Sequence, residues 1–401
     1  MNVEQTANAY LLKRPILILA GFVLLVFCTG TAEYLVAGIL PQLAADLDVS
    51  IATAGQTVTA YALGVAIGGP IVTVLTAQFP RKGLALCLGL FFVAGTVVTV
   101  LAPTYALVVV GRVLSACSQA TLFAIGLTAS AEIMGPGRQG QAIAIVGSGL
   151  TVATVLGVPL GALLGGNTNW RIPFVFVSVA AIIGVGLLAA AMPRTPAPVT
   201  GVRDEIRTLL RGPVLLAVAT TVIGFAGVSI VFTYLVPLLS DISGITDAAI
   251  PGLLLAYGVG GFVGNLIAGR LADLSLGRTL VGVFCALIIT LSAFPLFARL
   301  PVPMIALVLL LGLLSTATIA PLQSLVMRHT GAAPTLSLAV NVGAFNLANA
   351  IGSTLGGFTV AAGLLQWGGF GGAAFALFGL VLTALALRAT PQSESEPAVS
   401  A

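Results

Sequence analysis

The sequence predicts an all-α integral membrane protein with twelve transmembrane helices in two pseudo-symmetric bundles of six. Three observations predict this class: little charge, many long apolar runs, and a repeat between the two halves of the chain. Hydrophobic residues make up 58% of the 401 residues and charged residues only 7%, whereas soluble globular proteins carry about 25% charged residues. So few charges cannot cover a folded chain of this length in water, which excludes a soluble protein.

The apolar runs are long enough to cross a ~30 Å hydrocarbon core as helices that rise ~1.5 Å per residue. Helices are expected because lipid offers no partners to backbone N–H and C=O groups, and the short alternating segments of a membrane β-barrel do not appear. Spans 1 to 6 are predicted at 15–40, 51–74, 83–101, 105–131, 141–164 and 172–192. Spans 7 to 12 are predicted at 213–238, 248–271, 280–297, 302–326, 335–364 and 367–387.

The basic residues predict the orientation, because cytoplasmic loops of membrane proteins carry an excess of Lys and Arg. With both termini inside, thirteen of the sixteen basic residues lie in cytoplasmic segments and only Arg171 and Arg299 lie in outer loops. The sixteenth, Arg112, lies within span 4. We therefore expect a multi-pass protein of the cell's inner membrane with cytoplasmic termini.

The domain organisation follows from the longest polar segment, 193–212, which separates spans 6 and 7. Arg203, Arg207 and Arg211 recur at helical spacing beside an apolar stripe, which is typical of a short interfacial helix. We expect an N-terminal six-helix bundle at 1–192, this linker at 193–212, a C-terminal bundle at 213–388 and a disordered tail at 389–401.

The two halves repeat each other at a nearly constant offset. Ala60-Tyr61 recurs as Ala256-Tyr257, and Gly64 and Gly68 recur as Gly260 and Gly264, each 196 residues later. Tyr34-Leu35-Val36 recurs 200 residues later as Tyr234-Leu235-Val236. A duplicated unit with a site between its halves is the architecture of secondary transporters.

Several motifs carry a family resemblance over nearly the whole chain. They are Gly30-Thr31-Ala32-Glu33-Tyr34 with Leu40-Pro41, Gly111-Arg112, Gly157-Val158-Pro159-Leu160-Gly161, Trp170-Arg171, Gly269-Arg270-Leu271-Ala272-Asp273 with Gly277-Arg278, and Asn341-Val342-Gly343-Ala344-Phe345-Asn346. In this order they resemble the major facilitator superfamily, and within it the twelve-span drug:proton antiporters of the bacterial branch that holds arabinose-type, purine and chloramphenicol-resistance permeases. The resemblance implies the major facilitator fold.

Two intramembrane charges are the candidates for proton coupling. Glu33 is the only acid well inside a predicted span, and Arg112 is the only cation inside one. Both lie about seven residues from the outer ends of their spans, so we expect them to face each other across one cavity. Burial favours the neutral acid and a nearby guanidinium favours the anion. A carboxyl group between these influences can gain and lose a proton; the structural alternative is a permanent ion pair that holds spans 1 and 4 together.

Other polar side chains inside the spans are candidate substrate contacts. Gln119 lies seven residues after Arg112, on the same helical face, and Tyr61 and Tyr257 occupy equivalent points of the repeat. Each Asn of span 11 either lines the cavity or bonds a neighbouring helix. The predicted set comprises Tyr34, Tyr61, Gln119, Tyr257, Asn341, Asn346 and Asn349.

The remaining motifs are candidate gating elements. Gly157, Pro159 and Gly161 either flex span 5, as the resemblance implies, or let helices approach closely. The resemblance also implies a cytoplasmic latch made by Asp273 and Arg278. The first-half counterpart of this latch is degraded, with Ala77 in place of the acid and Pro80 in place of a glycine, and it retains only Arg81 and Lys82.

These features favour a proton-coupled exporter of small organic molecules such as chloramphenicol, working as a monomer without a metal or cofactor. Efflux of arabinose-like sugars or of purines and nucleosides is the alternative, because those permeases share the same motifs. A polytopic enzyme is disfavoured because the single histidine, His329, has no carboxylate close in sequence. A channel needs neither a lone acid–base pair nor a doubled fold, and nothing in the sequence predicts binding to nucleic acid.

Overall fold

The computed structural model describes residues 15–76, 78–134, 139–165, 169–194, 211–330 and 334–388. These ranges contain helices and no strand. Ten of the described helices are long and apolar enough to cross a membrane. One of them, Ile250–Phe297, has 48 residues and bends at Ser275, whose φ of −160° and ψ of 94° are extended. It therefore supplies two crossings, spans 8 and 9. Pro334–Ala361 supplies a further one, so the described chain makes the twelve predicted passes.

The helices follow the predicted spans and extend beyond several of them, since polar helix ends project past the hydrocarbon. Spans 1 to 6 consist of Pro15–Tyr34 with Val36–Asp46, Ile51–Thr76, Arg81–Leu101, Tyr105–Met134, Gln139–Gly165 and Ile172–Ala191. Span 7 consists of Gly212–Phe232, Leu235–Pro237 and the π-helical turn Leu238–Ile242. Span 10 consists of Pro301–Ala317 with Ile319–Thr330, span 11 of Pro334–Ala361 and span 12 of Gly368–Arg388. The predicted interfacial helix, Ala77 and the C-terminal tail lie outside the described residues.

Helix packing repeats between the halves. Span 1 packs on spans 5 and 6, as span 7 packs on spans 11 and 12, and span 3 packs on span 6 as span 9 packs on span 12. Each half encloses its own apolar core. The arrangement confirms two pseudo-symmetric six-helix bundles.

Spans 1 and 7 are both broken at the position where the Tyr-Leu-Val repeat falls. The first helix of span 1 ends at Tyr34 and the first helix of span 7 ends at Phe232. In span 7, Pro237 cannot donate a backbone hydrogen bond to Thr233, four residues earlier, which favours a break there. Backbone carbonyls at such breaks need partners from outside the helix.

The two halves meet through spans 2 and 11 and through spans 5 and 8. Near the end predicted to face outside, a set of neutral polar contacts joins them, which we call the outer seal. Tyr234 Oη donates to the carbonyl oxygens of Ser353 at 3.1 Å and Ala52 at 3.4 Å. Thr59 Oγ1 lies 2.7 Å from Ser353 Oγ, and Thr354 donates to Gln56 at 3.4 Å.

Candidate functional site

Glu33 lies one residue before the break in span 1 and is only 6% exposed. Gln119 Nε2, from span 4 of the same half, donates to its Oε2 at 2.8 Å. Asn349 Nδ2, from span 11 of the other half, donates to its Oε1 at 3.2 Å. The carboxyl group is therefore shared by the two halves, one amide donor from each.

The network continues in both directions from Glu33. Tyr61 Oη donates to Gln119 Oε1 at 2.6 Å and lies 3.0 Å from the carbonyl oxygen of Thr29. On the other side, Ser229 Oγ donates to Asn349 Oδ1 at 2.5 Å. Both amides thus have their oxygen occupied by a hydroxyl, which fixes their N–H groups toward Glu33. The site is oriented to receive an acceptor at that position.

Arg112 is 1% exposed and lies close to Glu33 without forming an ion pair with its carboxyl group among the described ion pairs. Its guanidinium donates instead to the backbone carbonyls of Ala32, of Glu33 at 3.4 Å and of Thr57 at 3.4 Å. It also stacks over the Tyr61 ring, 4.1 Å from the centroid. Arg112 therefore acts as a cap on carbonyls that the break in span 1 leaves without helical partners.

A narrow cavity lies beside the carboxyl group, between the two halves. Its lining includes Glu33, Tyr34, Phe232, Thr233 and Asn349. A larger open space of about 1110 Å³ lies between Gly147–Leu156 of span 5 and Phe262 of span 8. The structure thus places Tyr34 and Asn349 of the predicted substrate contacts in the cavity, and Tyr61 and Gln119 directly behind Glu33.

Tyr257, the repeat partner of Tyr61, forms the equivalent contact in its own half. Its Oη lies 3.0 Å from Ser315 Oγ, and its ring stacks on Phe232 with centroids 4.9 Å apart. Since Phe232 lines the cavity, Tyr257 supports the cavity wall from behind.

The three asparagines of span 11 have different environments. Asn341 accepts from Thr221 and donates to Gln323, both at 2.8 Å and both within the second half. Asn346 donates to the carbonyl of Val342 at 3.0 Å, while its buried Oδ1 has no partner in the described chain. Of the three, only Asn349 contacts Glu33 in this arrangement.

The candidate gating residues of span 5 pack against the break in span 1. A Cβ at Gly157 would lie 3.2 Å from Tyr34 Cβ, and one at Gly161 would clash with the Leu35 carbonyl. Pro159 lies between them inside the helix. The glycines therefore allow close approach at the break, the packing role that the sequence left open beside gating.

At the end predicted to face the cytoplasm, Arg81 forms an ion pair with Glu132 of span 4. Asp273 and Arg278 are exposed, and neither enters an ion pair in the part of the chain that the structure describes. The latch that the resemblance implies remains a prediction.

Sequence reasoning missed Ser229, Glu132 and the outer seal. Ser229 belongs to no motif in the sequence, so only packing shows its contact with Asn349. Glu132 lies just past the apolar run of span 4, where it supplies the anionic partner of Arg81. The sequence repeat identified Tyr234, but it did not predict that this residue donates a hydrogen bond to Ala52 of the other half.

At the end predicted to face outside, beyond the predicted span 1, Asp46 joins the ends of spans 1 and 6. Trp170 Nε1 and Arg171 Nη1 donate to its Oδ2 at 2.9 and 2.6 Å. The hydrogen bond from Trp170, together with Arg171, holds the pKa of Asp46 below its ordinary value. Arg171 also donates to the carbonyls of Val100 and Ala102, so the loop after span 3 is tied in as well.

Comparison with known proteins agrees with this architecture. The profile of the Major Facilitator Superfamily matches residues 22–333 and 217–400. The MFS-type transporter YfhI of Bacillus subtilis (strain 168) is 37% identical over 379 residues, 94% of this chain and 96% of YfhI. A chloramphenicol resistance protein of Streptomyces lividans is 33% identical, covering 82% of this chain and 86% of its own.

A solved D-xylose-proton symporter superposes with a TM-score of 0.74 at 16% identity, over 96% of this chain and 99% of its own. Identity that low shows the fold alone, whereas the profile and the two relatives cover most of the chain. Members of this superfamily are transporters and not enzymes. The chain belongs to the major facilitator superfamily.

Proposed function

We propose that the protein is a proton-coupled secondary transporter that exports small organic molecules by alternating access. The observation that carries the proposal is the Glu33 carboxyl group, which accepts one hydrogen bond from each half of the molecule. A group in that position links its protonation state to the contact between the halves. The inner-membrane location, the inward termini, the monomeric state and the domain limits 1–192, 193–212, 213–388 and 389–401 belong to the same proposal.

The chemistry of the carboxyl group supplies the coupling. An ionised carboxylate accepts from both amides, and these charge-assisted hydrogen bonds are about twice as strong as neutral ones. Protonation converts one oxygen into a donor and weakens the link to Asn349 in the second half. The two halves then separate more readily at the depth of the cavity. When Glu33 loses its proton to the opposite side of the membrane, the strong hydrogen bond from Asn349 forms again.

Arg112 holds the geometry while Glu33 titrates. Because the guanidinium binds backbone carbonyls, it need not leave when the carboxyl group becomes neutral. It nevertheless favours the ionised form by its charge, so we assign it a coupling role through electrostatics and position. The membrane potential supplies ~2.3 kcal/mol per charge per 100 mV to drive export.

The outer seal and the open space between spans 5 and 8 support alternating access. The former joins spans 2, 7 and 11 at one end. The latter is an open groove beside the place where Gly258 of span 8 packs on the backbone of Val155 in span 5. Gly157, Pro159, Gly161, Arg81, Asp273 and Arg278 are proposed to act in the change between states.

For the substrate, we propose an apolar drug-like molecule such as chloramphenicol. The cavity wall is formed largely by aromatic and aliphatic groups around one carboxyl group, and the Streptomyces relative is a chloramphenicol resistance protein. Tyr34, Tyr61, Gln119, Tyr257, Asn341, Asn346 and Asn349 are the proposed contacts, of which Tyr34 and Asn349 line the cavity. Binding of purified protein to chloramphenicol, arabinose and a purine base, measured side by side, identifies the class.

Glu33→Gln tests the coupling, because glutamine keeps the size of the side chain but carries no titrating proton. In proteoliposomes, the variant is expected to lose transport driven by a pH gradient while its melting temperature stays near that of the wild type. Asp241→Asn, which removes an exposed acid outside the site, is the matched control and should transport normally. A stable Glu33→Gln protein with undiminished proton-driven transport would refute the proposal.

A further inference from the structure

A groove outside the central cavity runs along the bend between spans 8 and 9 and against span 10. Its empty volume is about 870 Å³, and twelve of its thirteen lining residues are uncharged and mostly apolar. Arg278 is the one charged residue among them. The groove lies wholly within the second half, so the coupling network around Glu33 does not account for it.

The groove has a charged rim and an apolar floor. Arg278 lies three residues after the bend at Ser275, while Gly282 and Val283 lie one turn further into span 9. Leu271 and Ile267 lie one and two turns back into span 8 and are 47% and 49% exposed. Polarity therefore falls from the bend toward the membrane centre, in the same sense as in a lipid leaflet.

The Arg278 side chain has no hydrogen bond or ion pair within the described chain. Asp273 is the nearest acid in sequence, but it does not line the groove. Arg270 adds a second positive charge near the bend, so the net charge there is positive. The floor also has room: an added Cβ at Gly282 would meet no atom within 4 Å.

We propose that this groove binds an anionic phospholipid of the cytoplasmic leaflet, with its phosphate on Arg278 and an acyl chain along the floor past Gly282. An arginine fork matches phosphate oxygens, and Lys or Arg near a membrane surface attracts anionic lipid. A single chain of methylene groups fits an apolar groove that ends at the same cation. The placement uses the predicted orientation of the chain and is independent of proton coupling.

Native mass spectrometry of the full chain in micelles tests the site, with phosphatidylglycerol and phosphatidylcholine of identical acyl chains as probes. The wild type is expected to retain phosphatidylglycerol with about fivefold preference, the factor expected from one basic residue. Arg278→Gln should bring the preference close to onefold, and Arg278→Lys should keep most of it. Gly282→Leu, which fills the floor, should reduce retention of both lipids.

Two matched controls lie outside the groove. Arg388→Gln removes another cation predicted at the cytoplasmic surface, and Gly186→Leu fills another glycine position with no atom within 4 Å; both should behave as the wild type. Equal retention of the two lipids by the wild type, or an unchanged preference in folded Arg278→Gln protein, would overturn the site. Because the readout is bound lipid mass, a failure of proton-driven transport leaves the result unaffected.

Discussion

A tyrosine contacts a polar residue at equivalent positions of the two halves, with different consequences. Tyr61 contacts Gln119 and Tyr257 contacts Ser315, in each case 58 residues further along the chain. In the first half the long amide of Gln119 reaches on to Glu33. In the second half the short hydroxyl of Ser315 returns to the carbonyl of its own helix, Gly312. The two contacts have the same position in the repeat. The length of the second side chain, Gln119 or Ser315, determines whether the contact extends to the cavity.

The difference extends to the charges. Val308 stands 196 residues after Arg112, and Thr233 stands 200 residues after Glu33. The second half therefore has neutral residues at the positions equivalent to the charged residues of the first half. It contributes Asn349 as a hydrogen-bond donor to the Glu33 carboxyl group. In the contact between Glu33 and Asn349, only Glu33 can carry a charge. Protonation of Glu33 therefore weakens the contact without leaving an unpaired charge on Asn349.

The largest expected effect comes from Arg112→Met compared with Val308→Ile at the equivalent point. Removing the guanidinium leaves buried carbonyls without partners, at about 1–3 kcal/mol each, so Arg112→Met should lower the free energy of unfolding by about 3 kcal/mol or more. The extra methylene in Val308→Ile should lower it by about 1 kcal/mol. Denaturant midpoints of the two purified variants measure the difference.

The double variant Glu33→Gln with Arg112→Met separates the cap from an ion pair. Since the guanidinium holds main-chain carbonyls, neutralising Glu33 should not rescue the stability that Arg112→Met loses. Wild-type stability in the double variant would show that charge pairing, not capping, is the main role of Arg112.

Next in size is Gly161→Leu compared with Gly357→Leu, 196 residues later. A side chain at Gly161 meets the backbone of Leu35, which cannot move away cheaply, so stability should fall by about 1–3 kcal/mol and transport should fall with it. At Gly357 the nearest atoms, Gln56 Nε2 and Tyr234 Oη, belong to side chains of the outer seal and not to backbone. That variant should keep most of its stability. Because it disturbs the outer seal, a cysteine introduced there should react faster with a thiol label than it does without the Gly357→Leu change. Equal melting temperatures for the two would contradict the asymmetry.

A smaller effect is expected when the polar pairs themselves are cut. Gln119→Leu should slow proton-driven transport about tenfold, because it removes a donor to Glu33 worth about 1.5 kcal/mol. Ser315→Ala should leave the rate within about twofold, since its hydroxyl reaches no charge. Initial rates in proteoliposomes at a fixed pH gradient compare them. Similar losses in both variants would mean that the two pairs serve the same purpose.

The smallest effect concerns the end predicted to face outside, where the first half has an ion pair that the second lacks within the described residues. The lowered pKa of Asp46 means that its contribution to stability is fully present above the ordinary value of about 4 and is lost as pH falls through the lower folded-state value. Asp46→Asn should therefore melt slightly earlier at neutral pH, and the gap from the wild type should close in acid. Melting curves between pH 3 and 7 check this. A gap independent of pH would remove Asp46 from the acid response.

The sequence predicted the fold well because its strongest signals are global. Apolar runs set the number of crossings, and the repeat at 196 to 200 residues set the two halves. It also predicted that Glu33 and Arg112 lie close together. It could not predict that Arg112 donates hydrogen bonds to backbone carbonyls. Those carbonyls are free because the helix breaks after Tyr34, and no proline in the sequence marks that break.

The asparagines of span 11 show the same limit at the level of side chains. Helical spacing placed Asn341 and Asn349 on one broad arc, yet one bonds within its half and the other bonds Glu33. Which neighbour a polar group meets depends on helix rotation and crossing angle, and neither is written in the spacing of residues along one helix.

The outer seal has a consequence for the surroundings in which the transporter works. Its described contacts join hydroxyl groups, amides and backbone carbonyls, and none of them carries a charge. Dissolved ions screen charges over about 10 Å at 0.1 M ionic strength, but they act weakly on neutral dipoles. The closed outer face should therefore hold equally well in brackish and in dilute medium. A cell whose surroundings swing in salinity would keep this barrier shut without adjusting it.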